Sequence, residues 1–301
     1  MKKRAISDNA DTNLTYACAI ACEQSQDAHM DQNQTEAVAR KIYEANVQRE
    51  RFKPLRGDDQ PGSLDTAYDI QDALYTIMQT EGNAGPVAGH KIAVTSPEIQ
   101  KLCGVDQPVY GSIFANTIHR TPHMANHADF IRIGIEFEVA LEIGEDVPLT
   151  AAPFDAETIS RFVKSAMPAF EIIEDRNADY SDLDAMSILA DRCWCGGVVL
   201  GAPVEHWQRV DLGNLAGMVK LNGESLDSGN TGNALGHPLN GLAWVTNHLA
   251  GRGKALRAGE IVMTGSPLKT RFPVPGDSYT YTIEQLGEVT LKISSNAQAE
   301  T

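Results

Sequence analysis

Two glutamates separated by a single residue, Glu136 and Glu138, are the side chains of this chain best spaced for chemistry. They lie in Ile-Gly-Ile-Glu-Phe-Glu-Val-Ala-Leu-Glu-Ile, residues 133–143, where every odd position is large and apolar. That period of two predicts a strand with its odd face in a core and both glutamates on the opposite face. Their Cα atoms would then be about 6.7 Å apart. Carboxylates so placed repel each other unless positive charge sits between them. A divalent cation with hard oxygen ligands would supply it. Glu-x-Glu on the wet face of an antiparallel strand is also common surface charge, so the pair alone leaves both readings open. Glu142, about 20 Å beyond Glu136 along such a strand, is too distant for the same ion and reads as a solvated strand end.

Composition narrows the function classes. The 301 residues are 42% hydrophobic and 22% charged, enough apolar material for a sizeable core in one large domain or a large plus a small one. Lys and Arg number 25 against 40 Asp and Glu, a formal charge of -15 with no basic groove in sight. Nucleic acid and anionic membrane surfaces are therefore not expected partners. No apolar run reaches the length of a membrane span. The cysteines, Cys18, Cys22, Cys103, Cys193 and Cys195, are odd in number and sparse. They fit reduced thiols of a cytoplasmic protein better than a disulfide framework. Cys193-x-Cys195 lacks a second Cys or His pair at zinc spacing. No Gly-rich nucleotide loop stands in a strand-to-helix context, so no organic cofactor is expected. Residues 1–30 open with Met1-Lys2-Lys3-Arg4, but the apolar run 17–21 is too short for a signal peptide. They read as a polar, disordered extension.

The elements that would position the glutamates are legible from periodicity and punctuation. Helices are predicted over 34–46 and, after an N-cap at Ser63, up to Thr80, where Ala67, Ile70, Leu74 and Ile77 recur at helical spacing. Residues 87–95 alternate as a strand carrying Gly89, Lys91 and Ala93 on one face. Ser96-Pro97-Glu98 starts a short helix that Gly104 ends. After the glutamate strand a helix is predicted from Asp155 to Ala166, stopped by Pro168. A strand over 168–174 then places Ala169, Glu171 and Ile173 on one face. Residues 196–200 form a short strand, 218–226 a hairpin turning at Asn222-Gly223, and 238–250 a helix. Strands over 260–264, 279–284 and 288–293 complete a strand-rich remainder. The three histidines His119, His123 and His127 fall in a loop and read as surface.

With these elements in order, the chain resembles the fumarylacetoacetate hydrolase superfamily, in particular its 2-keto-4-pentenoate hydratase branch, over residues 32–294. The likeness rests on six landmarks in sequence: Gly89-His90-Lys91-Ile92, Gly104-Val105-Asp106-Gln107-Pro108 with Tyr110-Gly111, Ile135-Glu136-Phe137-Glu138, Pro168-Ala169-Phe170-Glu171, Leu235-Gly236-His237-Pro238-Leu239-Asn240 and Gly259-Glu260-Ile261-Val262-Met263-Thr264-Gly265. It implies an α+β fold: a helical N-terminal part over 31–86 and a mixed β-sandwich or β-roll catalytic domain over 87–301. It also implies that Glu136, Glu138 and Glu171 hold Mg²⁺ or Mn²⁺, in keeping with the oxygen preference of both ions.

By the same resemblance Lys91 belongs to the active site, although its residue type alone reads as a solvated strand lysine. Asp106, otherwise a turn opener before Pro108, becomes an acid/base candidate. Gly265 and Ser266 are carried over as substrate-binding. His237 reads as a structural residue at a helix start. One stretch departs from the family: where small polar residues follow an Asp, this chain has Asp191-Arg192-Cys193-Trp194-Cys195. Arg192 and Trp194 are therefore expected to line a retuned pocket, Arg192 as a partner for a second carboxylate. The implied activity is metal-dependent hydration of a short 2-hydroxy-2,4-dienoate or 2-oxo-enoate by a homo-oligomer. The alternatives are decarboxylation of a vinylogous 2-oxo dicarboxylate, acylpyruvate carbon–carbon hydrolysis, and a non-catalytic partner subunit.

Overall fold

The computed structural model describes residues 30–294, so the extension expected over 1–30 lies, Met30 apart, outside the described residues. Helix α1 (Gln32–Val47) is capped by Asp31, whose side chain accepts the Gln34 N–H at 2.8 Å. Helix α2 (Leu64–Thr80) is capped in the same way by Ser63. Val38, Ala39 and Ile42 of α1 bury against Ile70, Leu74 and Ile77 of α2. The other side of α2 enters the main core with Ala67 and Tyr68. Buried Gln71 donates to the Tyr110 and Leu189 carbonyls at 3.1 and 2.6 Å, tying the helix to two segments distant in the chain.

The rest alternates strands with short helices. In chain order the strands are β1 (Val87–Ala93), β2 (Val109–Phe114), β3 (Ile118–Arg120), β4 (His123–Asn126), β5 (Ile133–Ile143), β6 (Val163–Glu174), β7 (Cys195–Leu200), β8 (Ala216–Leu221), β9 (Glu224–Asn230), β10 (Ile261–Met263), β11 (Ser278–Ile283) and β12 (Gly287–Ser294). The remaining helices are α3 (Pro97–Cys103), α4 (Ala156–Ser160), α5 (Ala185–Ala190) and α6 (Pro238–Gly251). A mixed seven-stranded sheet has the order β2-β1-β10-β5-β6-β7-β3, and a five-stranded one β4-β12-β11-β8-β9. This is the expected α+β, strand-rich architecture.

Strand β5 shows why the site is where it is. Its odd residues Ile135, Phe137, Val139 and Leu141 enter the large core, where Phe137 meets Phe170 at 5.6 Å and Tyr281 at 5.5 Å. Each such burial stabilises by about 1.5–3 kcal/mol. The even face is covered as well. Ala140 packs with Met167, Ala169, Val198, Leu200, Ile261 and Met263 in a second, smaller core on the inside of the curled sheet. Any charge on that inner face therefore stands in an apolar enclosure.

Three local expectations change. The helix predicted over 155–166 stops at Ser160, despite a capping box between Asp155 and Thr158. Val163 and Ala166 instead pair with Ile143 and Leu141, so long-range sheet pairing overrides local helix signals. Pro168 does not end an element but lies within β6, opposite Val139. The missing N–H removes no bond to β5 there, because the Val139 carbonyl accepts from Thr264 of the neighbouring segment. The stretch read as a histidine loop holds β3 and β4, and His119 and His123 stack at 3.9 Å, half-buried rather than on the surface. The Asn222-Gly223 hairpin turn forms with φ 52° and 89°, the left-handed conformations that this pair adopts readily.

Candidate metal centre

Strands β1 and β10 are parallel, and β5 is antiparallel both to β10 and to β6. Hence β1, β10 and β6 all run out at one end of the sheet, the end at which β5 begins. The side chains that could do chemistry collect there. Glu136 of β5 stands directly opposite Glu171 of β6, and Glu138 opposite Ala169. Like charges in facing positions destabilise a sheet unless something offsets them. Each of Glu136, Glu138 and Glu171 offers a carboxylate oxygen within 4.8 Å of the other two. Glu138 and Glu171 are fully buried, and Glu136 is partly exposed.

The surroundings hold these oxygens in place without satisfying them. The Gly265 N–H donates to Glu138 Oε2 at 2.7 Å, and Thr270 Oγ1 donates to Glu136 Oε1 at 2.5 Å. Gly265 has φ 100°, and a Cβ there would sit 2.7 Å from Thr95 Cγ2, so glycine is needed for this amide to reach the carboxylate. Glu138 Oε1 and Glu171 Oε2 have no hydrogen-bond partner. Buried carboxylate oxygens left bare are costly unless a cation takes them. Three hard oxygen donors on one point, two of them unsatisfied, fit Mg²⁺-type coordination with positions left for water or substrate.

Lys91 completes the charge pattern. It is 2% exposed, and its Nζ lies 2.8 Å from Glu171 Oε1. Burial alone would lower the ammonium's pKa, but the Glu171 carboxylate outweighs it and holds the group above the ordinary lysine value. Burial, reinforced by Glu171 and Glu136, pushes Glu138 well above the usual carboxylate range. Burial also raises Glu171, to about 7, against the opposing pull of Lys91. With one ammonium for three carboxylates, the site invites a cation. The thiols of Cys193 and Cys195 are pushed up to about 12, chiefly by burial, so neither is a thiolate nucleophile at neutral pH.

The remaining sequence candidates fall differently. Asp106, ahead of β2, belongs to the same end of the sheet but is exposed and enters no side-chain hydrogen bond or ion pair among the described residues. Ser266 accepts from the Phe137 N–H at 3.1 Å and donates to the Leu268 carbonyl at 2.9 Å, so its hydroxyl clamps the loop onto β5. Arg192, Cys193 and Trp194 form a turn with φ 57°, 51° and 58°, a rare run of left-handed non-glycine residues. The turn points Arg192 over the Phe114 ring at 5.7 Å, and no described contact takes it to the carboxylates. Trp194 packs edge-on against Phe52 at 5.0 Å and tilted against Tyr180 at 6.3 Å. His237 caps α6, its Nδ1 accepting from the Leu239 N–H at 3.0 Å, the structural role expected of it. Sequence reasoning passed over Thr270, Arg132, Tyr180 and Phe272, which come to the site from three segments that no local pattern links.

A family model described as fumarylacetoacetate (FAA) hydrolase C-terminal matches residues 107–294. The chain belongs to the fumarylacetoacetate hydrolase family. Curated relatives of this family extend the match to nearly their whole length. The 2-keto-4-pentenoate hydratase of Paraburkholderia phymatum is 31% identical over 264 residues, 88% of this chain and 99% of its own. That of Burkholderia vietnamiensis is 31% identical over 259 residues, 86% of this chain and 97% of its own. Among solved structures, the 4-oxalocrotonate decarboxylase of Pseudomonas putida G7, complexed with magnesium and adipate, superposes with a TM-score of 0.80. It is 24% identical and covers 88% of this chain and 98% of its own, a likeness of fold. No helix among the described residues is long and apolar enough to cross a membrane.

Proposed function

We propose that this protein is a metal-dependent hydratase that converts a short 2-hydroxy-2,4-dienoate, through its 2-oxo-enoate form, into a 4-hydroxy-2-oxo acid. The observation that carries this reading is the convergence of Glu136, Glu138 and Glu171 beside the Lys91 ammonium in an apolar enclosure. The hydratase names of relatives matched over almost their full length support it. Mg²⁺ or Mn²⁺ is the proposed ion, by its preference for carboxylate oxygen.

Glu136, Glu138 and Glu171 would hold such an ion, which would supply a Lewis acid toward the 2-oxo acid end of the substrate. The chain's own groups do the rest. Gly265 and Thr270 fix the Glu138 and Glu136 carboxylates, so the site is organised before substrate arrives. Lys91, kept charged by Glu171, offsets surplus negative charge and can donate a proton from the floor of the site. Asp106, exposed at the same end, is the proposed second proton carrier. The overall change balances: the enol proton leaves oxygen as C5 is protonated, water oxygen then adds at C4, and its released proton is matched by one gained at C3. Gly265 serves in this proposal as a pocket wall, and Trp194 backs Tyr180 at the rim. A homo-oligomeric, cytoplasmic protein without organic cofactor completes it, and sedimentation velocity tests the assembly.

The deciding assay monitors ultraviolet loss of the dienol with each metal while CO₂ is collected. Metal-dependent loss without CO₂ is the expected result. Loss with stoichiometric CO₂ would make the protein a decarboxylase, and no loss with any substrate would remove both.

A further inference from the structure

The geometry points to a substrate whose distal end is apolar and planar, an alkenyl or aryl group, in preference to one ending in a second carboxylate; this rests on the hydratase reading above. Of the three carboxylates only Glu136 is partly exposed, so access is from its side. Two residues before it on the same face is Gly134, and a Cβ there would come within 3.4 Å of Phe272 Cε1 and Thr270 Cγ2. Phe272 thus sits directly beside the entrance, and Thr270, which holds Glu136, is only two residues away. Tyr180 meets the Phe272 ring edge-on at 6.4 Å, and Trp194 lies 6.3 Å behind Tyr180. Tyr180 and Phe272 are each 44% exposed. Half-open rings fixed by neighbours are suited to receive a flat apolar group.

The charge at this rim is already engaged. The Arg132 guanidinium lies over Tyr180 and Phe272 at 5.3 and 4.7 Å, but its Nε donates to both oxygens of fully buried Asp175 at 2.8 and 2.9 Å, and its Nη2 also pairs with Asp175. The Tyr180 hydroxyl donates to the same Asp175 at 3.1 Å. Glu174, accepting three backbone N–H groups from residues 131, 132 and 176, adds negative charge beside them. A distal carboxylate would gain no uncommitted cation from Arg132, and Arg192 is stacked on Phe114 instead. The competing cation is Lys269, exposed and in no ion pair among the described residues.

The test compares kcat/KM of the Mg²⁺-loaded enzyme for 2-hydroxydienoates bearing hydrogen, methyl, phenyl or carboxylate at the distal carbon. The phenyl compound should exceed the carboxylate one by about tenfold or more, the scale of one aromatic contact with its buried area. In Phe272→Ala the ratio of phenyl to methyl compound should fall by about tenfold, and Lys269→Ala should leave that ratio alone. Preference for the carboxylate compound, lost in Lys269→Ala, overturns the inference while leaving the hydratase reading intact. If no compound is hydrated, that reading fails, and calorimetric binding of 5-phenyl-2-oxopentanoate against 2-oxohexanedioate in the presence of Mg²⁺ still decides the preference.

Discussion

Replacing Glu138 by glutamine should make the metal-free protein more stable while removing the response to metal. Glutamine keeps the shape and the acceptor for the Gly265 N–H but carries no charge. In the wild type an ionised Glu138 faces Glu136 and Glu171 with ligand oxygens within 4.8 Å. At an effective dielectric of about 20, each such pair repels by about 3.5 kcal/mol, and Lys91 offsets part of the total. Because the folded-state pKa of Glu138 lies above its unfolded value, its favourable contribution is complete below the unfolded pKa and is lost as pH rises toward the folded one. Near pH 5, close to the ordinary carboxylate value, little of that contribution is lost, and wild type and E138Q should unfold in urea within about 1 kcal/mol of each other. At pH 8.5 with chelator, E138Q should be more stable by about 2–3.5 kcal/mol. Residual pH dependence in the variant should trace to Glu171, raised to about 7. Added Mg²⁺ or Mn²⁺ at a hundredfold excess over Kd should stabilise the wild type by about 2.7 kcal/mol and E138Q by far less. A variant less stable than wild type at pH 8.5 without metal, or equally stabilised by metal, would refute the electrostatic argument.

Lys91→Met should lower kcat by about 10²-fold or more. It should also destabilise the metal-free protein by about 3–5 kcal/mol, because Glu171 is left buried without its ammonium. Adding Glu171→Gln should recover much of that stability and none of the activity. Thr270→Val should weaken Mn²⁺ binding about 10–100-fold, measured by electron paramagnetic resonance titration, by releasing Glu136. Gly265→Ala should destabilise by more than about 1 kcal/mol through its φ of 100° and the Thr95 clash, and should weaken metal binding alongside.

What could be read in advance divides along physical lines. Glu136 and Glu138 were legible because a period of two is a property of the strand itself. That Glu171 faces Glu136 depends on the register of β5 against β6, which no local pattern encodes, and it came only through the family landmarks. Lys91 misleads as a residue type: alternation suggests a wet face, but the curl of the seven-stranded sheet buries both faces of its central strands. The lost end of the 155–166 helix has the same cause, since pairing with β5 is invisible to helix signals. The departure at Arg192 and Trp194 was visible in sequence, but its meaning turns on a left-handed turn that sends one side chain away from the pocket and sets the other behind Tyr180.

That β1, β6 and β10 finish at one end has a further consequence for how such a protein can change. All three carboxylates lie in the long β5–β6 ladder and the ammonium in β1, where a shift of one residue would turn every side chain to the other face. The rim rings Tyr180 and Phe272 come from the segments after β6 and β10, where residues that make no bond to β5 can vary in composition without disturbing its register. Reaction chemistry and substrate choice are thus carried by different residues of one chain, joined where Ser266 and Thr270 hold β5. Exchanging residues 179–182 and 272–274 for others, with Ser266, Thr270 and Arg271 kept against β5, offers a route to new substrates that leaves the carboxylate scaffold and its supports in place.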